Sequence, residues 1–568
     1  MAGYIENDTM YIEAAAMNVA SIQADSYFAS TLPDSIRKEI PNTGNTLKQT
    51  IQSMSNGDLK ETIFQFLQSA PGLAQKFLGF ISRNEPTKGL TSSKENWNSV
   101  DGFKGRNWSE EYCQLLSDQD FQSKQWQIKM YRLSDDFFHA ASLYAQVIIG
   151  EIPLPVAMKS IQPVNIGGIA GGQKFIIDNI LFKFAVDSEI GTENTKIYMY
   201  GGSEQRNDLA MKAASIEMRN MQTVLHARDN NLLVPLMCVI DYQGHRIIAS
   251  SIIPIDKYTL CYGSADGGRS VHRSDGTLND MMAKLGERLH LKSHRTGSRS
   301  GGRNLYMPGD IEVHLGMDGR YYMIDVARLM PPEAPTGIVG KNSGESRKIY
   351  YQTLRPELVL GYCEHLNSDA FSAWNDFEPD KISHEKSLAA CSHYLRENLI
   401  PKFSEALENF KLEAITYLPD SKDSWMRLSG ERIAAILEVA DISSTVHYYG
   451  INVRHLGLIR KHTTSAPFRD FLLVQCITRA MKNIMRGDMR NIMTTSLGSP
   501  TDMPLRDLVL STYRKIHPFN HIVRDEERRI SIAEYWKLVF EKTCEQFEGC
   551  FDSQEEEEIK ISGFHSFV

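Results

Sequence analysis

The chain has 568 residues, a formal net charge of -8, and 42% hydrophobic and 23% charged residues, the balance of an ordinary globular protein of about two to four domains. Its overall acidity excludes a globally basic nucleic-acid binder but leaves room for a local basic patch. Eight cysteines without a CxxC pair provide neither a disulfide framework nor a zinc ribbon, and Glu6 and Asp8 stand where a secretory signal needs basic residues. The greasiest long window, 64–81, is broken by Gln, Pro and Lys and is too polar for a bilayer span. The expectation is a cytoplasmic protein with no membrane span and no disulfide-linked partner.

Residues 1–145 read as a helical N-terminal region. Phe64, Leu67, Leu73, Phe77 and Leu78 recur at helical spacing, with breaks at Pro71 and over 93–105. Between Pro153 and Pro163 the texture changes to short β-like runs. The stretch QKFIIDNILFKFAVD alternates about Asp178-Asn179, a hairpin signal, and TKIYMYGG reads as a further short strand. Asn207 to Arg228 is a helix by period, with Ala210, Ala213, Ala214, Met218, Met221 and Leu225 on one side. Two strands follow about Tyr242 to His245. Then comes a loop carrying Asp310, Glu312 and His314, a strand, a turn at Met317 to Gly319, and a strand from Arg320 to Val326 that ends at Asp325. After Pro335 the chain is helical again, with breaks near Pro356, Pro401, Pro419, Pro467 and Pro500. The acidic run Glu555 to Glu558 reads as a solvated helix end. The fold class is α+β, with a core over 146–340 and a helical C-terminal domain over 341–568.

Within the core the order of chemical groups follows that of protein-kinase-type phosphoryl-transfer folds, which predicts a two-lobed, kinase-like domain. The turn NIGGIAGGQK offers Gly168, Gly171 and Gly172, where the lack of a Cβ lets backbone amides approach phosphate. Lys183 sits among apolar strand residues, either turned to solvent or reaching phosphate oxygens. Glu217 lies on the helix, either exposed or orienting that lysine. The hairpin over 234–255 would link the lobes and offer its backbone to an adenine. Asp310 would serve as catalytic base or metal ligand with His314 assisting, and Asp325 would hold Mg²⁺.

Two departures stand out. Kinases place Asn where His314 stands, and Val326-Ala327 replaces their Phe-Gly. Imidazole is a poor Mg²⁺ ligand, so His314 would contact phosphate or accept a proton, with Glu312 as the alternative second metal ligand. Between these groups, Lys292, Arg295, Arg299 and Arg303 lie in a Gly/Ser-rich stretch, read as a mobile cationic strip. It is either simply solvated or a clamp for anionic substrate, phosphate or RNA backbone. No aromatic residue interleaves it for base stacking. His290 and His294, four apart without a third ligand, read as surface helix.

The runs YGGSEQRNDLAMKAASIEMRNM, VPLMCVIDYQGHRIIASSIIPI, CYGSADGGRSVH and PGDIEVHLGMDGRYYMIDVARLMPPE resemble the central domain of the Clu (clustered mitochondria) family. VHYYGINVRHLGLIRKH and the following FLLVQCITRAMKNIMRGDMR are similar to the helical region behind that domain. The resemblance runs from about Gly167 to Arg490. Long members also carry a ubiquitin-like region and a TPR array without counterparts here, so a short, single-module relative is expected. The resemblance implies RNA- or ribosome-associated work and mitochondrial distribution, and no established enzymatic activity. In GINVRHLGLIR, Asn452 and Arg454 are expected to dock the C-terminal helices on the core through buried hydrogen bonds.

Together these readings give a core that binds Mg-ATP and transfers a phosphoryl or nucleotidyl group to an acceptor. The alternative is a non-catalytic RNA- or ribosome-associated module.

Overall fold

A computed structural model describes residues 105–118, 123–166, 172–190, 196–336, 344–406, 442–495, 504–516, 526–562 and 564. Gly168 and Gly171 of the glycine-rich turn, the helical spacing over 64–81 and the break at Pro419 lie outside the described residues.

The first sheet has five antiparallel strands in the order β1-β2-β3-β6-β5: β1 (Pro163–Val164), β2 (Lys174–Ile177), β3 (Ile180–Phe184), β5 (Met237–Tyr242) and β6 (His245–Ser251). Two-residue turns set its register. Asp178 and Asn179 (φ 52° and 58°) join β2 to β3, and Gln243 and Gly244 (φ 45° and 79°) join β5 to β6. Positive φ at both central residues gives the twist that matches flanking strands, and Asn, Asp and Gly tolerate it best. β6 lies between β3 and β5 and is buried along its whole length.

One face of this sheet packs on α1 (Trp108–Ser117) and α2 (Lys124–Gly150), whose Trp108, Phe137, Ala141, Ala145 and Ile148 share a core with Phe175, Phe182 and Ile247. The turn is tied to α1 as well: the Trp108 indole donates to Asp178 O (2.9 Å), and Asn179 Nδ2 donates to Arg106 O (3.1 Å). On the other side, Met211 and Ala214 of α3 (Asn207–Ala227) meet Ala185 and Ile248. Period two therefore turns Phe182 and Phe184 one way and Lys183 the other, toward α3. The expected strand TKIYMYGG makes only isolated bridges at Tyr198, because three backbone N–H groups (Tyr200, Gly201 and Arg206) bond the Asp187 carboxylate and shape a loop.

The second sheet runs β4-β12-β11-β7-β8: β4 (Leu232–Leu233), β7 (Leu260–Gly263), β8 (His272–Arg273), β11 (Glu312–Leu315) and β12 (Tyr321–Ile324). The hairpin expected to link two lobes lies within the first sheet, and the chain crosses between the sheets on either side of it, over 234–236 and over 252–259. The segment read as a mobile cationic strip is a hairpin, β9 (His294–Thr296) with β10 (Arg303–Leu305). A Cβ on Gly268 or Gly309 would stand 2.9 or 2.3 Å from the Trp374 ring, and Gly297 N bonds Trp374 O, so this region is packed. α4 (Gly276–Arg288) ends before His290. His294 is therefore no surface-helix residue: it lies buried in β9 and faces Asp369.

Downstream, the described helices are α5 (Pro356–Gly361), α6 (Lys381–Tyr394), α7 (Ile442–Tyr448), α8 (Leu456–His462), α9 (Ala466–Thr495), α10 (Pro504–Ile516), α11 (Glu526–Gln546) and α12 (Ser553–Ser562), besides one turn at Gly344–Arg347. Docking follows the expectation for Arg454. Its guanidinium donates to Glu333 Oε2 (2.5 and 3.1 Å), His455 Nε2 lies 3.1 Å from the same oxygen, and Arg396 Nε donates to Oε1 (3.1 Å). Asn452 accepts from Arg454 N (3.0 Å). Burial alone would raise the Glu333 pKa, but the surrounding His455, Arg454 and Arg396 hold it well below the carboxylate range. Its contribution is complete above the ordinary pKa of 4.5 and is lost as pH falls through the depressed value.

Glu333→Ala leaves the Arg454 and Arg396 guanidinium groups without their buried counter-charge, which costs about 3–5 kcal/mol. The expected result is a large fall in Tm at neutral pH and faster proteolysis within 442–495. Unchanged melting would show that Glu333 does not hold the helices.

Candidate functional site

Strand register brings the first functional groups together. β2 and β3 pair so that Lys174 stands directly opposite Lys183. Opposed residues of an antiparallel pair project from the same face, and two ammonium groups there repel unless anions offset them. Lys183 Nζ lies 3.7 Å from Asp325 Oδ1, delivered from the end of β12 in the other sheet. Burial lowers the Lys183 pKa, but the carboxylates of Glu217, Asp325 and Glu312 outweigh it and hold the amine above its usual range. Lys174 is lowered, first by burial and then by Lys183.

Glu217 is buried on α3 and acts on Lys183 through its charge. Burial pushes its carboxyl up, Lys183 draws it back in part, and Asp325 raises it further. Tyr200 is raised first by burial and then by the charges of Glu217, Asp187, Asp310 and Asp325. Asp325 is the exposed member: its side chain is 46% accessible, against 24% for Lys183, and its backbone is left-handed at φ 57°. A non-glycine residue held at positive φ is strained, and such strain persists where the surroundings over-determine it. Of the glycine-rich turn, Gly172 (φ 55°) is described and leads into Lys174.

The loop residues are arranged differently from expectation. Both Asp310 oxygens are taken by Arg328, Nε to Oδ2 at 2.6 Å and Nη2 to Oδ1 at 3.0 Å, so Asp310 is tied rather than free to accept a proton. Arg328 also donates to the buried Asp369 (2.8 Å), which further accepts from Thr296 Oγ1 (2.7 Å) and Gly309 N (2.9 Å) and meets His294 Nε2 (3.0 Å). Although burial alone would raise it, Arg328 and His294 with these hydrogen bonds bring the Asp369 pKa down to about 2. His314 is buried with both nitrogens engaged: Nδ1 lies 3.0 Å from Thr259 Oγ1 and Nε2 lies 3.2 Å from Glu312 Oε2. Its ring therefore holds Glu312 in place rather than facing a phosphate.

Lys183, Glu217, Glu312 and Asp325 thus form one electrostatic neighbourhood, while Asp310 belongs to the Arg328–Asp369 network beside it. Arg295, Arg299 and Arg303 lie on the β9–β10 hairpin, and Lys292 lies just before it. Arg295 donates to Arg299 O (2.9 Å), and the Arg299 guanidinium lies 5.8 Å from the Phe377 ring. Sequence reading missed Lys174, Tyr200, Arg328 and Asp369. Lys174 was legible, because a two-residue turn at 178–179 dictates that 174 faces 183.

A family model described as Clustered mitochondria matches residues 107–335, and one described as Translation initiation factor eIF3 subunit 135 matches 434–520. The first match begins upstream of Gly167 and takes in α1 and α2. A Clustered mitochondria protein homolog of Aspergillus terreus is 23% identical over 553 residues, covering 84% of this chain and 41% of the relative. The Clustered mitochondria protein of Arabidopsis thaliana is 24% identical, covering 65% and 32%. The Schizosaccharomyces pombe homolog is 28% identical over 300 residues, covering 50% and 24%. The chain therefore spans less than half the length of each of these relatives. No solved structure matches. Among the described residues no helix is long and apolar enough to cross a membrane, and all eight cysteines are free.

Glu217→Gln tests the site's electrostatics. A carboxyl whose folded pKa lies above the ordinary 4.5 contributes stability below that value and loses it as pH rises through the folded pKa. At about pH 7 the amide should raise Tm by about 2–4 °C, with the gain vanishing toward acid. A lower Tm at neutral pH would mean that the Glu217 charge is fully compensated.

Proposed function

As residues 107–335 belong to the Clustered mitochondria domain family, we propose that this domain binds a nucleoside triphosphate with Mg²⁺ between its two sheets. The observation that carries the reading is the pair of facing lysines, Lys174 and Lys183, set against a left-handed, half-exposed Asp325 from the other sheet. A strand lysine, a helix glutamate acting on it and a strand-end aspartate are the parts with which kinase-type folds hold phosphates and Mg²⁺. An antiparallel five-stranded sheet with one helix, α3, on the face that carries Lys183 supports the same kinase-like reading of the fold.

The donor set fits the ion. Asp325 and Glu312 supply carboxylate oxygens, the hard ligands Mg²⁺ prefers, and Asp325 is open to solvent. Because Lys183 and Asp325 already touch, phosphate oxygens would lie alongside the pair, with Lys183 as point charge and Lys174 as a second anion contact. Bound Mg²⁺ would neutralise charge on the phosphates. Gly172, two residues ahead of Lys174 at the start of β2, would bring a backbone amide near the same anion. Transfer of a phosphoryl or nucleotidyl group further requires a base. Asp310 is held by Arg328 through both oxygens and is not free to serve as one, so the reading proposed here is binding rather than transfer.

A second reading is favoured by the match of 434–520 to the eIF3 subunit 135 family: association with RNA or a ribosome-associated partner. The names of the relatives connect this alternative to mitochondrial distribution. On this reading the exposed Arg299 and Arg303 contact phosphates, and affinity for RNA falls steeply with salt.

Isothermal titration of Mg-ATP separates the two. Wild type should bind, while Lys183→Ala and Asp325→Ala should each lose about tenfold or more in affinity. No heat from wild type ends the nucleotide reading, and salt-independent binding of single-stranded RNA, or none, ends the second.

A further inference from the structure

The turn that follows the left-handed Asp325 is bonded from α3. Asn220, fully buried and one helical turn beyond Glu217, donates both amide protons of Nδ2 to consecutive carbonyls: Val326 O at 2.9 Å and Ala327 O at 3.1 Å. These are the two residues that follow Asp325. The amide cannot be reversed, since its Oδ1 accepts from Arg219 Nε (3.3 Å) and Nη2 (3.2 Å), and a flip would set oxygen against two carbonyl oxygens. Arg219 is in turn anchored to Thr353 Oγ1 (3.0 Å). Residues three apart on a helix share a face, so one face of α3 presents Glu217 toward Lys183 and Asn220 toward the Asp325 turn.

We propose that Asn220 is a positioning residue for Asp325: its amide clamps the two following carbonyls, fixes the turn after β12, and so aims the Asp325 carboxylate at a divalent cation beside Lys183. This rests on the nucleotide reading and deepens it, because it assigns to α3 the metal-dependent part of binding as well as the lysine-orienting part. Val326-Ala327 contribute here through their carbonyls. Their side chains can therefore differ from Phe-Gly without loss of the turn.

The test is the ratio of ATP affinity with Mg²⁺ to that with EDTA, measured by titration on the full chain well below its melting temperature. Wild type should show an enhancement by the metal. Asn220→Ala should lower that enhancement by about tenfold while changing the metal-free affinity little. Asn220→Ser, which keeps one donor, should fall between them, and it decides the matter if the alanine variant does not fold. Amide exchange at 326–328 should speed up in both variants, with β3 unchanged. Retained enhancement, or an equal loss with and without metal, would overturn the inference and leave the nucleotide reading standing. Absence of any ATP binding by wild type would end both.

Discussion

The contact between Lys183 and Asp325 is the constraint around which the rest is arranged, because it brings a strand of one sheet to the end of a strand of the other. An ammonium turned inward on β3 is tolerable only with counter-charge, and Asp325, Glu217 and Glu312 supply it from three separate elements. The second lysine opposite it makes that face cationic and reinforces the need. The negative groups are over-supplied in their turn, which keeps the Glu217 carboxyl pushed up by its own burial. A site in which both signs are crowded and one carboxylate stays open to water is suited to a ligand that itself brings both signs, a polyphosphate with its cation.

Buried carboxylates act as fasteners elsewhere in the chain. Asp369 gathers Arg328, His294, Thr296 and the Gly309 amide, and so fixes the loop before β11. Glu333 gathers Arg396, Arg454 and His455 from the helical region. The Clustered mitochondria match stops at residue 335, yet each carboxylate lies on the opposite side of that limit from its partners. The folded unit therefore reaches further than the matched segment, and the downstream helices complete the charge balance of the domain's last residues.

What could be read in the sequence was what depends on short spacing. The turns at 178–179 and 243–244, the period-two faces of β3 and the extent of α3 follow from local chemistry. So did the proximity of Lys183, Glu217 and Asp325, through their order along the chain. The docking role of Arg454 was also legible, though its partner Glu333 was not. What could not be read depends on distant partners. Nothing in the local pattern about Asp310 shows that Arg328 occupies it, and nothing about 292–303 shows that Trp374 packs beneath it. His290 and His294 looked helical by spacing, whereas the chain leaves α4 before His290, whose φ is 53°. Glycine and serine in that stretch reported tight packing rather than mobility.

The most direct measurement is the location of a manganese ion by anomalous scattering in crystals grown with a nonhydrolysable ATP analogue. The expected result is a peak bounded by the Asp325 and Glu312 carboxylates, with the triphosphate alongside Lys183 and Lys174. Manganese and analogue bound elsewhere, or the Lys183–Asp325 pair intact with no ligand beside it at saturating analogue, would contradict it.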